Sequence, residues 1–270
     1  LGDVYKRQAY ETALVQTSAD ETVPKVEFIN AGLTYADAKE TSIEGLSLKV
    51  KRGETIGIIG GTGSGKSTLV NLIPRFYDCT QGSIKIDGVD VMEYPKEQLI
   101  EKIGVVPQKA VLFSGTIADN IRWGKEDATN EEIEEALSIA QAEDFVQQKD
   151  GGIGFMLNQG GKNLSGGQKQ RLTIARALVK KPEILILDDS SSALDYATDA
   201  ALRKAIKEKT DHTTVFLVSQ RASSIMYADK IVVLDDGKIA GIGDHDTLMK
   251  NCPVYQEIYA SQNKEVKADV

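Results

Sequence analysis

The sequence predicts an α/β fold whose core is a mainly parallel β-sheet with flanking helices. Short apolar runs at residues 55–59 and 184–187 are typical of strands that are buried on both faces. A helical pattern at 200–209 follows the second run, and strands that alternate with helices imply parallel pairing with right-handed crossovers. Residues 84–86 alternate between apolar and polar before a turn, which predicts an antiparallel β subdomain. Helical patterns fill residues 115–180, so we expect a helical subdomain inserted between sheet strands.

Local patterns predict the remaining elements. Thr129 and Glu132 have capping-box spacing, and Ile133, Ala136 and Leu137 then share one helical face. A turn at Asp236-Gly237 is typical of a hairpin. Further strands are predicted at 26–28, 46–48, 215–218 and 231–234.

Composition excludes several classes of protein. The chain has 270 residues, 41% of them hydrophobic and 27% charged, which is ordinary for a soluble globular protein. Its formal net charge of -8 argues against nucleic acid as a partner, because phosphate backbones require clustered Lys and Arg. No apolar run approaches the roughly 18 to 20 residues that cross a bilayer. Cys79 and Cys252 match no metal or disulfide spacing, which favours two reduced thiols.

The two ends of the chain are expected to lie outside the folded domain. Residues 3–8 have the sequence that results from translating a transposase adapter commonly used in DNA library preparation. We therefore expect residues 1–8 to be a sequencing scar and the gene to extend further upstream. Residues 9–23 are then expected to be a linker to the missing upstream part. The domain proper is predicted at 24–262, and 263–270 is a polar tail.

A glycine-rich segment follows the strand at 55–59 and precedes a helical pattern. This P-loop pattern in this context predicts a phosphate cradle, in which main-chain N–H groups and the helix start surround the β- and γ-phosphates of a nucleotide. Lys66 would add a positive charge, and the Ser67 hydroxyl would ligate Mg²⁺. The predicted nucleotide-binding residues here are Gly60, Thr62, Gly63, Ser64, Gly65, Lys66, Ser67 and Thr68.

Two acids, Asp188 and Asp189, follow the apolar run at 184–187. The carboxyl end of such a strand lies beside a P-loop, so Asp188 is predicted to hold Mg²⁺ through water. A solvated turn would also place acids here, but the upstream P-loop makes that interpretation weak.

A second phosphate-binding pattern occurs at Leu164-Ser165-Gly166-Gly167-Gln168. Ser165 and Gln168 have capping-box spacing, so a helix should begin here with bare glycine N–H groups and a serine hydroxyl at its positive end. One chain needs a single triphosphate cradle. The second phosphate-binding surface therefore suggests contact with a nucleotide that another subunit holds. The residues predicted to contact that nucleotide are Ser165, Gly166, Gly167 and Gln168.

With the P-loop, this LSGGQ signature and the acidic strand end in order, residues 24–262 resemble the nucleotide-binding domain of ATP-binding-cassette (ABC) transporters. The resemblance implies a P-loop NTPase core, a helical signature subdomain at about 109–180, and Mg²⁺ and ATP as ligands. It implies that Tyr35 stacks on adenine and that Asp195 belongs to a D-loop that crosses a dimer interface. Gln108 matches the Q-loop glutamine that senses Mg²⁺ and the γ-phosphate. Residues 112–121 resemble the exporter branch.

Two positions depart from the family pattern, and both concern hydrolysis. The general base is normally glutamate, whereas Asp189 is one methylene shorter, and a misplacement of about 1 Å can cost on the order of a hundredfold. The family usually has histidine at Gln220, whose amide can donate a hydrogen bond but cannot relay a proton.

These departures suggest that the chain resembles the degenerate half of a heterodimeric exporter, that is, the half whose own site hydrolyses ATP poorly. ATP in this chain's own site would then mainly hold the dimer closed. The signature of this chain would complete a competent site on a non-identical partner. The catalytic positions are then Asp189, Gln220 and Gln108, and the Mg²⁺ positions are Ser67, Gln108 and Asp188. The resemblance also implies a transmembrane domain encoded upstream and a location at the cytoplasmic face of the cell membrane.

Three alternatives remain open. The first is a homodimeric exporter domain in which Asp189 is a slow base. The second is a soluble ABC ATPase of DNA repair or translation, against which the acidic charge counts. The third is a regulatory ATP-binding module, against which the intact signature counts.

Overall fold

The structure is a computed structural model that describes residues 15, 22–36, 38, 40–210 and 212–268. The predicted scar at 1–8 and most of the predicted linker at 9–23 lie outside these residues. In chain order the strands are β1 (Val26–Leu33), β2 (Ile43–Val50), β3 (Thr55–Gly60), β4 (Gln81–Ile86), β5 (Val89–Asp90), β6 (Ile103–Val106), β7 (Gly115–Thr116), β8 (Met156–Leu157), β9 (Ile184–Asp188), β10 (Thr214–Val218), β11 (Lys230–Asp235) and β12 (Lys238–Gly243). The helices are α1 (Lys66–Leu72), α2 (Lys96–Lys102), α3 (Ile117–Arg122), α4 (Asn130–Ile139), α5 (Glu143–Gln147), α6 (Gly166–Leu178), α7 (Tyr196–Lys209), α8 (Ala222–Ile225), α9 (His245–Asn251) and α10 (Pro253–Ala268).

The larger sheet has six strands in the order β12-β11-β3-β10-β9-β6. Its five strands from β11 to β6 pair in parallel, and β12 adds an antiparallel edge through the predicted turn at Asp236-Gly237. The predicted mainly parallel sheet is therefore confirmed.

The smaller sheet is the predicted antiparallel subdomain. Its four strands have the order β2-β1-β4-β5, and every pair in it is antiparallel. Val26 lies opposite both Val50 and Ile86, so β1 forms the centre of this sheet.

The continuous apolar runs exist because the larger sheet is covered on both faces. In β9, Ile184 and Ile186 pack into a core shared with α1, α2 and the smaller sheet. Leu185 and Leu187 point the other way, into a core shared with the helical layer. Successive strand residues face opposite sides, so a strand between two cores needs no polar positions.

The helical subdomain is inserted between β6 and β9, as predicted, and contains α3 to α6. The expectation of a purely helical block at 115–180 is wrong in one respect: β7 and β8 form a two-stranded antiparallel pair that joins Gly115 to Leu157. Two residues per strand are too few for a period-2 pattern to appear in the sequence. The capping box of Thr129 and Glu132 begins α4, and Ile133, Ala136 and Leu137 are buried.

The C-terminal part consists of α9 and α10. The last helix continues to Ala268, so the boundary predicted at 262/263 falls inside it. Among the described helices, none is both long enough and apolar enough to span a bilayer.

Candidate nucleotide-binding site

Four strands of the larger sheet deliver the predicted site residues at their carboxyl ends. The P-loop follows β3, Asp188 ends β9 and Asp189 follows it directly, Gln220 follows β10 by two residues, and Gln108 follows β6 by two residues. Because β3, β10, β9 and β6 are adjacent and parallel, these ends form one edge of the sheet. In open α/β sheets ligands bind outside this edge.

The P-loop is held open by two glycines that no other residue could replace without strain. A Cβ on Gly60 would collide with the Leu234 carbonyl oxygen. Gly65 has φ +94°, and a Cβ there would lie 2.6 Å from Ile43 Cδ1 and 2.8 Å from a main-chain oxygen. Gly63 has φ +83°, a conformation that glycine adopts without strain, and a Cβ there would meet no atom within 4 Å.

Lys66 lies folded over the P-loop. Its Nζ donates to the carbonyl oxygens of Gly60 at 2.9 Å and Gly61 at 2.6 Å. Burial lowers the pKa of the Lys66 ammonium, against the opposing attraction of Asp189 and Asp188. An anion bound in the loop would compensate this desolvated charge.

Asp188 and Ser67 form the part of the site that could hold Mg²⁺. The Ser67 hydroxyl donates to Asp188 Oδ1 at 3.0 Å, so two of the three predicted Mg²⁺ ligands already lie together, and the third, Gln108, bonds Asp189 instead. Burial raises the pKa of Asp188, its hydrogen bond from Ser67 opposes this, and the charge of Asp189 adds to it. A bound divalent cation would favour the ionised carboxylate.

The donor set fits Mg²⁺ rather than a tightly caged metal. Within the described part of the chain, no group of three or more His, Cys, Asp or Glu side chains could hold a metal ion. Mg²⁺ usually keeps several waters and binds through one or two carboxylates together with nucleotide phosphates. Asp188 and Ser67 supply such a partial shell.

Asp189 is the point where three predicted catalytic residues meet. Gln108 Nε2 and Gln220 Nε2 each donate to Asp189 Oδ2, both at 3.2 Å. Asp189 is buried, and its φ of 46° places it in the left-handed region, which is uncommon outside glycine. Its main-chain N–H bonds the Val218 carbonyl at 3.0 Å, so β10 helps to fix this conformation.

Tyr35 lies beside the start of α1. Its hydroxyl is 3.1 Å from Thr68 Oγ1, and its ring packs edge-on against Tyr77 with centroids 5.0 Å apart. The structure thus brings Tyr35 to the P-loop region, and its stacking on adenine stays a prediction. The sequence had not indicated Tyr77, an exposed tyrosine without a motif around it.

The LSGGQ segment begins α6 with the predicted capping box. Ser165 Oγ accepts from the Gln168 N–H at 3.2 Å, and Gln168 Oε1 accepts from the Ser165 N–H at 3.0 Å. The serine hydroxyl keeps its own proton for another acceptor. A Cβ on Gly166 would meet no atom within 4 Å, whereas one on Gly167 would lie 3.1 Å from Ala193 O. The helix start is therefore exposed on one side and packed against the D-loop on the other.

Asp195 has a structural role in this chain. Its carboxylate caps α7 by accepting from the Thr198 N–H at 2.9 Å and the Thr198 hydroxyl at 2.8 Å. The preceding D-loop residues Ser192 and Ala193 are exposed. A contact of Asp195 with a partner's nucleotide site remains a prediction.

The segment after Gln108 is tied to the helical subdomain by a buried asparagine. Asn120 Nδ2 donates to the carbonyl oxygens of Phe113 and Thr116, both at 3.0 Å, and its Oδ1 accepts from Phe113 N at 2.9 Å. Arg176 of α6 donates to Asn120 Oδ1 at 3.0 Å and to Val111 O at 2.9 Å. This network links the Gln108 segment to the helix that starts at the signature.

The fold and the site define a P-loop nucleotide-binding domain with an inserted helical subdomain. Residues 43–192, more than half of the chain, match the family model described as ABC transporter. The chain therefore belongs to the ABC transporter family, and it is an ATPase-type nucleotide-binding domain of that family.

Similar proteins and structures agree with this assignment. An uncharacterized ABC transporter ATP-binding protein of Mycobacterium tuberculosis is 46% identical over 241 residues, which cover 88% of this chain and 41% of the relative. A putative multidrug export ATP-binding/permease protein of Bacillus subtilis is 45% identical over 245 residues, 91% of this chain and 42% of the relative. A bacterial Atm1-family ABC exporter with ATP bound has a similar structure, with a TM-score of 0.85 at 37% identity over 92% of this chain and 43% of that one. The chain spans less than half the length of these proteins.

Proposed function

We propose that this chain binds Mg²⁺-ATP and powers ATP-driven export across a membrane, that its own site hydrolyses ATP poorly, and that its signature completes the competent site of a partner. The relatives support the export part, because one is named as a putative multidrug export protein and the similar solved structure is that of an ABC exporter. We place the chain at the cytoplasmic face of the cell membrane, with a transmembrane domain encoded upstream.

The observation that carries the weak-hydrolysis part is the environment of Asp189. Both glutamine amides donate to the same oxygen, Asp189 Oδ2, and so occupy its lone pairs. A general base must accept a proton from water at hydrogen-bond distance. Asp189 is one methylene shorter than glutamate. Its other oxygen, Oδ1, takes part in neither of these two hydrogen bonds.

Each residue of the site would have a distinct role in binding Mg²⁺-ATP. Lys66 and the P-loop N–H groups would bind the phosphates, and Ser67, Asp188 and Gln108 would hold Mg²⁺. The cation would supply charge neutralisation along the phosphates. Gln220 would donate to the terminal phosphate, but it lacks the charge and the proton relay of histidine.

The partner would be a second nucleotide-binding domain that is not identical to this chain. Ser165 and the exposed main chain at Gly166 face away from this chain's own packing, which suits contact with a nucleotide on another subunit. Closure around ATP would then be coupled to nucleotide binding, because contacts from two subunits favour the closed state.

ATP turnover tests the degenerate-site proposal. We would compare this chain with its Asp189→Glu/Gln220→His double variant at matched concentration, and confirm ATP binding to both. The double variant carrying Lys66→Ala measures background turnover. We expect both proteins to bind and only the double variant to hydrolyse. Comparable turnover by the unaltered chain would instead favour a homodimeric exporter with Asp189 as an adequate base.

The export proposal has its own test in the gene. Sequencing upstream of residue 9 should reveal about six long apolar helices. A gene that starts near residue 9 without such helices would favour a soluble ABC ATPase.

A further inference from the structure

The C-terminal helix reaches the loop that carries Gln220. Gln262 of α10 donates through Nε2 to the Gln220 carbonyl oxygen at 2.6 Å, and its Oε1 accepts from the Ala222 N–H at 2.9 Å. One side chain thus bonds the main chain on both sides of Arg221. These two contacts join residues that are 40 or more positions apart in the sequence.

The Ala222 N–H needs such a partner. Ala222 is the first residue of α8, and the first N–H groups of a helix have no partner within it. The N-cap residue Arg221 provides no side-chain cap. Gln262 therefore performs, from a distant helix, the function that a Ser or Asp cap performs locally.

Gln262 is itself held in place by the docking of α10. Tyr255 is fully buried in the core beneath the helical layer, and its hydroxyl lies 2.8 Å from His245 Nδ1. Gln262 follows Tyr255 by seven residues, which is two helical turns or about 10 Å along the same face. The buried tyrosine thus directs the glutamine toward the loop.

The contacts continue from the loop into the nucleotide site. Gln262 fixes the main chain of Gln220, and the Gln220 side chain donates to Asp189 Oδ2 at 3.2 Å. A displacement of that main chain would move the amide away from Asp189 and from the space beside the P-loop.

We propose that Gln262 is a positioning residue of the nucleotide site, which makes recognition of the terminal phosphate of ATP depend on the docking of α10. The proposal rests on the proposed function in one respect, namely that Gln220 contacts this phosphate. Both bonds of Gln262 go to the main chain beside Arg221, so Gln262 can affect the phosphate only through the side chain that residue 220 carries.

The test is the ratio of Mg²⁺-ATP to Mg²⁺-ADP affinity, measured by titration calorimetry on the full 270-residue chain. Gln220→Ala should lower this ratio because one phosphate contact is lost. Gln262→Ala should lower it by about 3- to 10-fold, as expected for one or two hydrogen bonds. The Gln220→Ala/Gln262→Ala double variant should be no worse than Gln220→Ala, because Gln262 acts through residue 220.

Gln256→Ala is the matched control. Gln256 lies on the same helix, but its amide donates to Met249 O at 2.8 Å and holds α9 instead of the loop. Its affinity ratio should remain that of the unaltered chain.

Gln262→Glu separates the two bonds, since a carboxylate can accept from the Ala222 N–H but cannot donate to the Gln220 carbonyl. Hydrogen exchange should show Ala222 protected in Gln262→Glu and exposed in Gln262→Ala.

Each contrary outcome identifies what fails. If Gln220→Ala lowers the ratio and Gln262→Ala does not, the positioning proposal is wrong and the proposed function stands. If neither variant lowers it, Gln220 does not sense the terminal phosphate, and the positioning proposal falls together with the phosphate contact that the proposed function assigns to Gln220. An additive double variant, or an equal loss in Gln256→Ala, would show that Gln262 acts on general stability and not through residue 220.

Discussion

Replacing Asn120 by alanine should destabilise the helical subdomain more than any change at an exposed asparagine. Asn120 is only 1% exposed, and its amide takes part in four hydrogen bonds. Alanine would leave the Phe113 N–H, the carbonyls of Phe113 and Thr116, and one Arg176 N–H without this partner.

The size of the effect follows from these lost bonds. A net hydrogen bond contributes about 1 kcal/mol, and a buried group left unpaired costs about 1 to 3 kcal/mol. Some bonds will be recovered through water or relaxation, so we expect a loss of about 3 kcal/mol in unfolding free energy. For a domain of this size that corresponds to a melting temperature about 9 °C lower.

Calorimetric unfolding without nucleotide measures this loss, with Asn251→Ala as the control. Asn251 is an exposed residue at the end of α9, and surface substitutions of this kind usually stay within about 0.5 kcal/mol. If Asn120→Ala melts within 2 °C of Asn251→Ala, the buried network does not stabilise the subdomain and the reasoning is refuted.

Three further predictions concern the P-loop, the magnesium site and a buried ion pair. Gly65→Ala should weaken ATP binding by at least about tenfold in a titration, because a φ of +94° costs alanine about 1 to 2 kcal/mol before any collision. Gly61→Ala is the control, since a Cβ there meets no atom within 4 Å, and it should reduce ATP affinity less. Equal losses of affinity in the two variants would contradict this reasoning. Asp188→Asn should stabilise the nucleotide-free protein at pH 7 while abolishing magnesium-dependent ATP binding. Burial raises the pKa of Asp188, so the folded protein binds this proton more tightly than the unfolded chain does, and the stability of the unaltered protein falls as pH rises through that pKa. The gain in melting temperature from Asp188→Asn should therefore shrink as pH falls toward about 4. A gain that does not change with pH would contradict the assignment. Asp87→Ala should cost about 3 to 5 kcal/mol in urea unfolding, because it removes the buried carboxylate that pairs with Lys25 at 2.9 Å, Arg52 at 2.6 Å and Lys102 at 3.6 Å, and Glu183 replaces it only in part; a loss below 1 kcal/mol would show that this network is dispensable.

The sequence predicts the parts of this structure that depend on local chemistry. Residues 184–187 form a doubly buried strand because four apolar residues in succession leave no polar face. Ser165 and Thr129 begin helices because each side chain caps the N–H three residues later. The P-loop could be predicted from Gly60, Gly65 and Lys66 because its glycine requirements are steric.

Contacts between distant segments could not be predicted in the same way. That Gln108 and Gln220 belong to one site follows from the family resemblance, but their convergence on a single oxygen of Asp189 depends on side-chain positions at three strand ends. Gln262 carries no motif, since any glutamine on an exposed helix has the same local pattern. Its role depends on where Tyr255 anchors the helix.

Variants of this chain alone can test whether the signature of one chain completes the nucleotide site of another. One variant would carry Asp189→Glu, Gln220→His and Gly166→Glu, which pairs a restored site with a blocked signature. A Cβ added at Gly166 would meet no atom within 4 Å of this chain, so the block should spare its fold. The second protein is the unaltered chain, which has an intact signature and a weak site.

ATP turnover is measured for each protein alone and for their equimolar mixture. We expect little turnover by either protein alone and clear turnover by the mixture, because the restored site then meets an intact signature. Adding Gly166→Glu to the second protein should abolish that turnover. If the first variant alone hydrolyses ATP as fast as the Asp189→Glu/Gln220→His double variant, or the mixture stays as inactive as its components, the signature does not act between chains.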